Sequence, residues 1–406
     1  MAVGKRAANP RAFPFYDECE RGRVMTASNL RAALTAVFLG IATMGVAALG
    51  LAVPAAALTV SAKVGPLLNE AKALMTSGNY SAAMSKLREA DAVKSTADDT
   101  AAINSMRQYI GVKTGDASLG GSAGALAKFA NDYNAGRWRD VIADADLLRK
   151  YNALTAGNML IIAQAYYKAN DFAGCSRYIK TNLSGSSETA LELQARCSYE
   201  NGDEVTQRQS LESLVARSGK PEHWKGLLRL AERSRGLSDA NSLDINRIRM
   251  MTGNIVTKDD YLLLAQLALQ LGNAAESQSV VEKGIAAKLL NDERATRLLN
   301  LAKTQAAANT ANLAKNIAAA QAQPQGDALV KVGEGMVGMG KAKEAIDVIL
   351  QGNKKPQKVA VNGQMRLGYA QLSAGLKADA QKTFNAIKAP EKDAMVAHLW
   401  SLAARR

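Results

Sequence analysis

Groups able to do chemistry are scarce in this chain of 406 residues, and each scarcity removes a class of function. It holds two histidines, His223 and His398, on distant segments. No H-E-x-x-H, C-x-x-C, G-x-S-x-G or G-x-x-x-x-G-K-[ST] stretch is present, so no familiar zinc-hydrolase, dithiol, serine-hydrolase or phosphate-loop signature stands out. His223 adjoins Trp224 at the start of a helical stretch, His398 falls in the last one, and both read as structural. Prolines number eight, aromatics make up 5%, and runs of β-branched residues are few, which argues against a sheet-based core. Three cysteines are too few for a disulfide-rich scaffold. Neither a cofactor nor a metal site is expected, and no catalytic residue is assigned.

What is abundant is alanine, within an apolar fraction of 48%, together with a formal charge of +14. Small residues of high helix propensity fit closely packed helices, so the chain is expected to be all-α. Its first segment sets the compartment. Residues 32–57 read AALTAVFLGIATMGVAALGLAVPAAA, without a charge, behind Arg21, Arg23 and Arg31. A basic flank, an apolar core and the Ala55-x-Ala57 end form a secretory pattern, with cleavage after Ala57 or Ala62 and a possible true start at Met25. The alternative is an uncleaved anchor, since about 20 apolar residues can span a bilayer. Both readings place the remainder outside the cytoplasm, in the periplasm.

Export changes what the charge implies. Residues 1–57 carry six of the 51 basic residues and three of the 37 acidic ones, leaving 45 against 34. Such a chain meets envelope proteins, wall polymers or anionic headgroups, and no nucleic acid. Scattered charge that serves solubility is the other reading. Membrane contact is expected only through the N-terminal segment, if it stays uncleaved. In an oxidising compartment Cys175 and Cys197 are a candidate disulfide, because 22 residues carry the chain down one helix and back along the next. Two buried free thiols are the alternative.

A spacing recurs along the rest. Gly78, Tyr80, Ala83, Leu87 and Ala90 stand at offsets 0, 2, 5, 9 and 12, after a first stripe of Leu67, Ala71 and Leu74. The same offsets hold for Met159, Ala163, Tyr166, Asn170, Phe172, Cys175 and Ile179, and for Tyr261, Ala265, Ala268, Gly272, Ala274, Ser277 and Val281. Leu329, Gly333, Met336, Gly340, Ala342, Ala345 and Ile349 give a fourth copy. Looser copies run through Gly136, Trp138 and Val141, and through Gly368, Gly375, Ala380 and Phe384. Small residues let two helices approach, and glycine admits the backbone angles of a tight connection. The pattern resembles the tetratricopeptide repeat, a helix–turn–helix unit of 34 residues. The resemblance implies a helical-hairpin repeat solenoid. Gly333, Gly335 and Gly338 then belong to helix contacts rather than to a phosphate loop.

The expected organisation is a signal over 1–57, a repeat-like unit over 58–114 and a central array over 123–290. A long Ala-rich helix or linker over 291–323 and a shorter C-terminal array over 324–406 follow, closed by a capping helix. The stretch GDASLGGSAG, 115–124, reads as a flexible joint. From His223 to Ile285, the Trp ahead of a Leu-rich helix, the Gly closing the next and the repeat ending Glu-Lys-Gly-Ile resemble a periplasmic repeat protein associated with TonB–ExbB–ExbD systems. That resemblance implies a partner in an envelope complex.

In stacked hairpins the first helix of each unit lines an inner groove. Its inward positions select Lys72 and Met75, then Gln164, Tyr167 and Lys168, then Gln266 and Gln270, a mixture suited to a peptide. The function expected is a non-enzymatic scaffold that mediates protein–protein interaction in a bacterial envelope complex. The alternative is a wall- or polysaccharide-associated accessory, or a glycan-active enzyme, which would need paired carboxylates across a cleft.

Overall fold

A computed structural model describes residues 58–183, 185 and 187–405 of the chain. The expected export segment, 1–57, lies outside the described residues. Those residues form twenty helices and no strand. No helix among them is long and apolar enough to cross a membrane. They divide into two compact units, one ending at Asp203 and one beginning at Glu204, a boundary inside the stretch 123–290 that the sequence groups as one array.

The first unit holds α1 (Gly65–Thr76), α2 (Tyr80–Val93), α3 (Ala97–Thr114), α4 (Ala117–Asn134), α5 (Trp138–Lys150), α6 (Ala156–Lys168), α7 (Phe172–Asn182) and α8 (Glu188–Glu200). Each packs mainly against its neighbours in sequence. Buried Ala71 and Ala83 let α1 and α2 close on Leu68 and Leu87. A capping box starts α3: Thr96 Oγ1 accepts from Asp99 N, and Asp99 in return accepts from the amides of Thr96, Ser95 and Ser61. Those donors outweigh the cost of burial and hold the Asp99 carboxyl well below the usual carboxylate range.

The stretch 115–124, expected as a flexible joint, is instead mostly the first turns of α4, bent at Gly121 with φ 57°. The reason is packing. A Cβ on Gly111 would strike the backbone of Gly120, and one on Gly124 would lie 2.8 Å from the Asp116 carbonyl oxygen. Glycine here buys closeness between α3 and α4 rather than freedom.

The second unit holds α9 (Glu204–Arg217), α10 (Pro221–Glu232), α11 (Asp239–Met251), α12 (Lys258–Gln270), α13 (Ala274–Ala286), α14 (Glu293–Ala311), α15 (Leu313–Gln321), α16 (Asp327–Gly338), α17 (Ala342–Asn353), α18 (Ala360–Ser373), α19 (Lys377–Ala386) and α20 (Glu391–Ala403). In α10, Pro221 sits in the first turn, where a missing N–H costs nothing, and Trp224, Leu227, Leu228 and Ala231 form the buried stripe. The single helix expected over 291–322 is two, α14 and α15, meeting at Asn312. Beyond consecutive pairing, α13 packs on α16, and α20 packs back on α11 and α9 as well as on α19.

The recurring turn is one backbone structure. Gly78, Gly136, Asn170, Gly272, Gly340 and Gly375 all have φ between 59° and 83°. At each, the turn residue's N–H and that of the next residue bond back to carbonyls of the closing helix, as in Gly272 N to Leu269 O and Asn273 N to Ala268 O. Gly202, outside the sequence-matched copies, ends α8 in the same way. The two units are therefore built of α-helical repeats that pair consecutively.

Candidate functional site

The sequence-selected groove residues fall at three places. On α1, Lys72 is exposed and Met75 is half-buried against the first core cluster. On α6, Gln164 is half-buried, Lys168 is exposed, and Tyr167 lies between the Phe172 ring at 5.3 Å and the Arg196 guanidinium, 4.3 Å from its centroid. On α12, half-buried Gln266 accepts from Arg294 at 3.3 Å and exposed Gln270 donates to Asp239 at 3.0 Å. Of the α6 residues, Tyr167 meets Arg196 of α8. Cys175 and Cys197, both fully buried, are joined as a disulfide between α7 and α8 with Cα atoms 6.1 Å apart.

Two clusters of buried charge stand out, neither selected from the sequence. In the first unit, Lys128 Nζ of α4 donates to Asp132 at 2.7 Å and to Asp144 of α5 at 2.5 Å, and Arg137 also holds Asp132. Burial pushes the Asp144 carboxyl up, while for Asp132 the Lys128 and Arg137 contacts outweigh burial and hold it down. This cluster ties one helix to the next.

The second cluster spans the second unit. Arg247 of α11 donates through Nε and Nη2 to Glu276 of α13 at 2.8 and 2.6 Å, and through Nη1 to Glu334 of α16 at 2.8 Å and Asp244 at 3.2 Å. Arg366 of α18 pairs with both Glu334 and Asp244. The Tyr369 ring lies over Arg247, 4.2 Å from centroid to guanidinium carbon. Two arginines thus face three carboxylates from four helices in a site almost closed to water.

Titration follows the geometry. Burial raises the Glu334 carboxyl, yet the Arg366 and Arg247 charges and hydrogen bonds outweigh it and hold the group at about 2. For Asp244 burial wins and the carboxyl is pushed up. Burial also raises the Tyr369 phenol, and the Glu276 charge adds to it. The closeness of α13 and α16 depends on Gly338, where a Cβ would lie 2.9 Å from Glu276 N.

Over this cluster opens a cleft of about 560 Å³. Arg247, Glu276 and Tyr369 form one part of its lining. Met250, Met251, Leu264, Val337, Leu372 and Trp400 supply apolar wall, and Lys283 and Lys377 are exposed at its edge. Neither lysine forms an ion pair among the described residues. The indole N–H of buried Trp400 has no acceptor there either. Its volume falls in the range common for ligand sites, about 300–1,000 Å³.

The two histidines sit apart from it. His223 Nδ1 lies 3.1 Å from Ser218 Oγ, and His398 Nε2 lies 3.2 Å from Glu212. No known protein-family model matches the chain, and no curated protein compared with it is similar.

Proposed function

We propose that the chain is an exported, tetratricopeptide-like repeat scaffold, without catalytic activity, that holds another protein in a bacterial envelope complex. The observation that carries this reading is the turn repeated at six sequence-matched positions with one backbone conformation and one hydrogen-bond pattern. Repetition of that kind builds extended helical surface, and surface is what repeat proteins use to bind. Buried small residues at matched offsets, Ala71 and Ala83, Ala163 and Cys175, Ala265 and Ser277, support the tetratricopeptide-like assignment. A disulfide between Cys175 and Cys197 supports an oxidising compartment. Asp144 and Glu334 are held by lysine and arginine across helix contacts, which gives them a task in packing.

The test has two parts. Intact mass on fractionated cells is expected to place the mature N-terminus at Leu58 or Lys63, in the periplasmic fraction. Purified mature chain, passed over envelope extract and over isolated wall polymer, is expected to retain a defined protein partner. A full-length cytoplasmic product removes the export reading, and retention on wall polymer that survives high salt removes the protein scaffold.

A further inference from the structure

The buried charges of the second unit, two arginines and three carboxylates, are turned on one another, and that limits what the cleft above them can bind. Arg247 is engaged by Glu276, Glu334 and Asp244 through four of its five N–H groups, with Tyr369 over its face, so little of its charge is left for a visitor. Glu276, the acid in the cleft lining, already takes both of its oxygens to Arg247. The charges left to act outward are Lys283 near the end of α13 and Lys377 at the start of α19, both exposed and neither ion-paired among the described residues. Between them the wall is apolar and adaptable. Met250 and Met251 are adjacent on α11, Met251 is 44% exposed, and thioether side chains repack readily around varied partners. Leu372 and Val337 continue the apolar wall on α18 and α16.

A surface with apolar walls and unneutralised positive charge at its edge selects its complement. We propose that this cleft docks an acidic amphipathic segment of a partner protein, its apolar side chains seated on Met250, Met251 and Leu372 and its carboxylates paired with Lys283 and Lys377. The assignment rests on the scaffold reading and gives it a place and a partner chemistry. A polypeptide is favoured over a small amphiphile because the cleft is partly open and its lining is drawn from seven helices.

The probe is a fluorescein-labelled helix-forming peptide with leucines on one face and glutamates flanking them. Beside it are run the same peptide with lysine for glutamate, the same peptide with serine for leucine, and hexadecanoate. With full chain carrying [13C-methyl]methionine, the Glu–Leu peptide is expected to bind and to move the Met250 and Met251 methyl signals, assigned by Met250→Leu and Met251→Leu. Combining Lys283→Glu with Lys377→Glu is expected to weaken it about tenfold, the scale of two exposed ion pairs reversed, while circular dichroism stays unchanged. The doubly reversed chain should then prefer the lysine peptide. Equal binding of both peptides by the native chain, methyl shifts confined to other methionines, no peptide binding, or binding of hexadecanoate alone would each overturn the proposal. Capture of an envelope protein that the double reversal leaves intact removes the cleft and keeps the scaffold, whereas failure of the native chain to capture any protein removes the scaffold itself.

Discussion

The first unit is held together by neighbours and the second by closure. In residues 58–203 the polar lock joins consecutive helices: Lys128 reaches Asp132 one turn away and Asp144 on the next helix, and the disulfide likewise links α7 to α8. In residues 204–405 the lock joins Asp244 to Arg366, 122 positions apart, and α20 returns to α11. The same hairpin with the same turn serves both. Repetition therefore settles how each helix meets the next, while in the second unit a buried charge cluster also joins helices distant in sequence.

The sharpest way to break this contrast is Arg247→Ala. It leaves Asp244, Glu276 and Glu334 buried with Arg366 alone, and unpairing a buried charge network costs about 3–5 kcal/mol. Hydrogen exchange is expected to show the amides of residues 204–405 losing protection while those of 58–203 keep theirs. Uniform loss across both would mean that closure is not a property of the second unit.

Next in size is the bridge of the first unit. Replacing Cys175 and Cys197 by serine opens a link across 22 residues, worth about 3 kcal/mol by chain entropy. Denaturant unfolding followed at first-unit amides should shift by that amount, with second-unit amides unmoved. An unchanged midpoint would show that this unit relies on packing alone.

A smaller effect separates two kinds of glycine. Gly111→Ala drives a methyl into the Gly120 backbone and should cost about 1–3 kcal/mol of first-unit stability. Gly335→Ala in α16 meets nothing within 4 Å and should stabilise the second unit by roughly 0.5–1 kcal/mol. Thermal unfolding of the two variants tests both signs.

The least effect is expected from acid. Glu334 is held at about 2, below its ordinary 4.5, so its contribution is complete above pH 4.5 and is lost as pH falls toward 2. Asp244, pushed up by burial, works in the opposite sense and blunts the loss. Second-unit protection measured between pH 6 and pH 2 should fall further in the native chain than in Glu334→Gln, which keeps only the acid-dependent loss of other carboxyls held low, Asp260 and Asp292 among them.

The repeat was legible because its turn needs a rare backbone conformation, and Gly78, Gly272 and Gly340 announce it. Asn170 was legible at the same offset because asparagine tolerates that conformation. The Gly115–Gly124 stretch misled because glycine serves two purposes that look alike in sequence, and here it permits contact between α3 and α4. The charge cluster was hidden for a different reason. Its five members lie on four helices between 244 and 366, and no local period relates them. A trace existed: Arg247, four residues after buried Leu243, and Arg366, four residues before buried Ala370, put permanent charge on apolar stripes. The cleft follows from that cluster, so it was no more visible than the cluster itself. Lys72, Gln164 and Gln270 came from hairpin register alone, which says where a helix faces but not which neighbours return to meet it.

The bond between Cys175 and Cys197 has a mechanical meaning as well. A helical chain that is pulled lengthens by unravelling its helices one after another. The 22-residue span between the two sulfurs cannot join that extension while the bond lasts. At about 3.4 Å per extended residue, roughly 75 Å of slack is kept out of reach of the load. Force arriving from either side passes through the bridge and bypasses the end of α7 and the start of α8, which remain folded under tension that strips the helices around them.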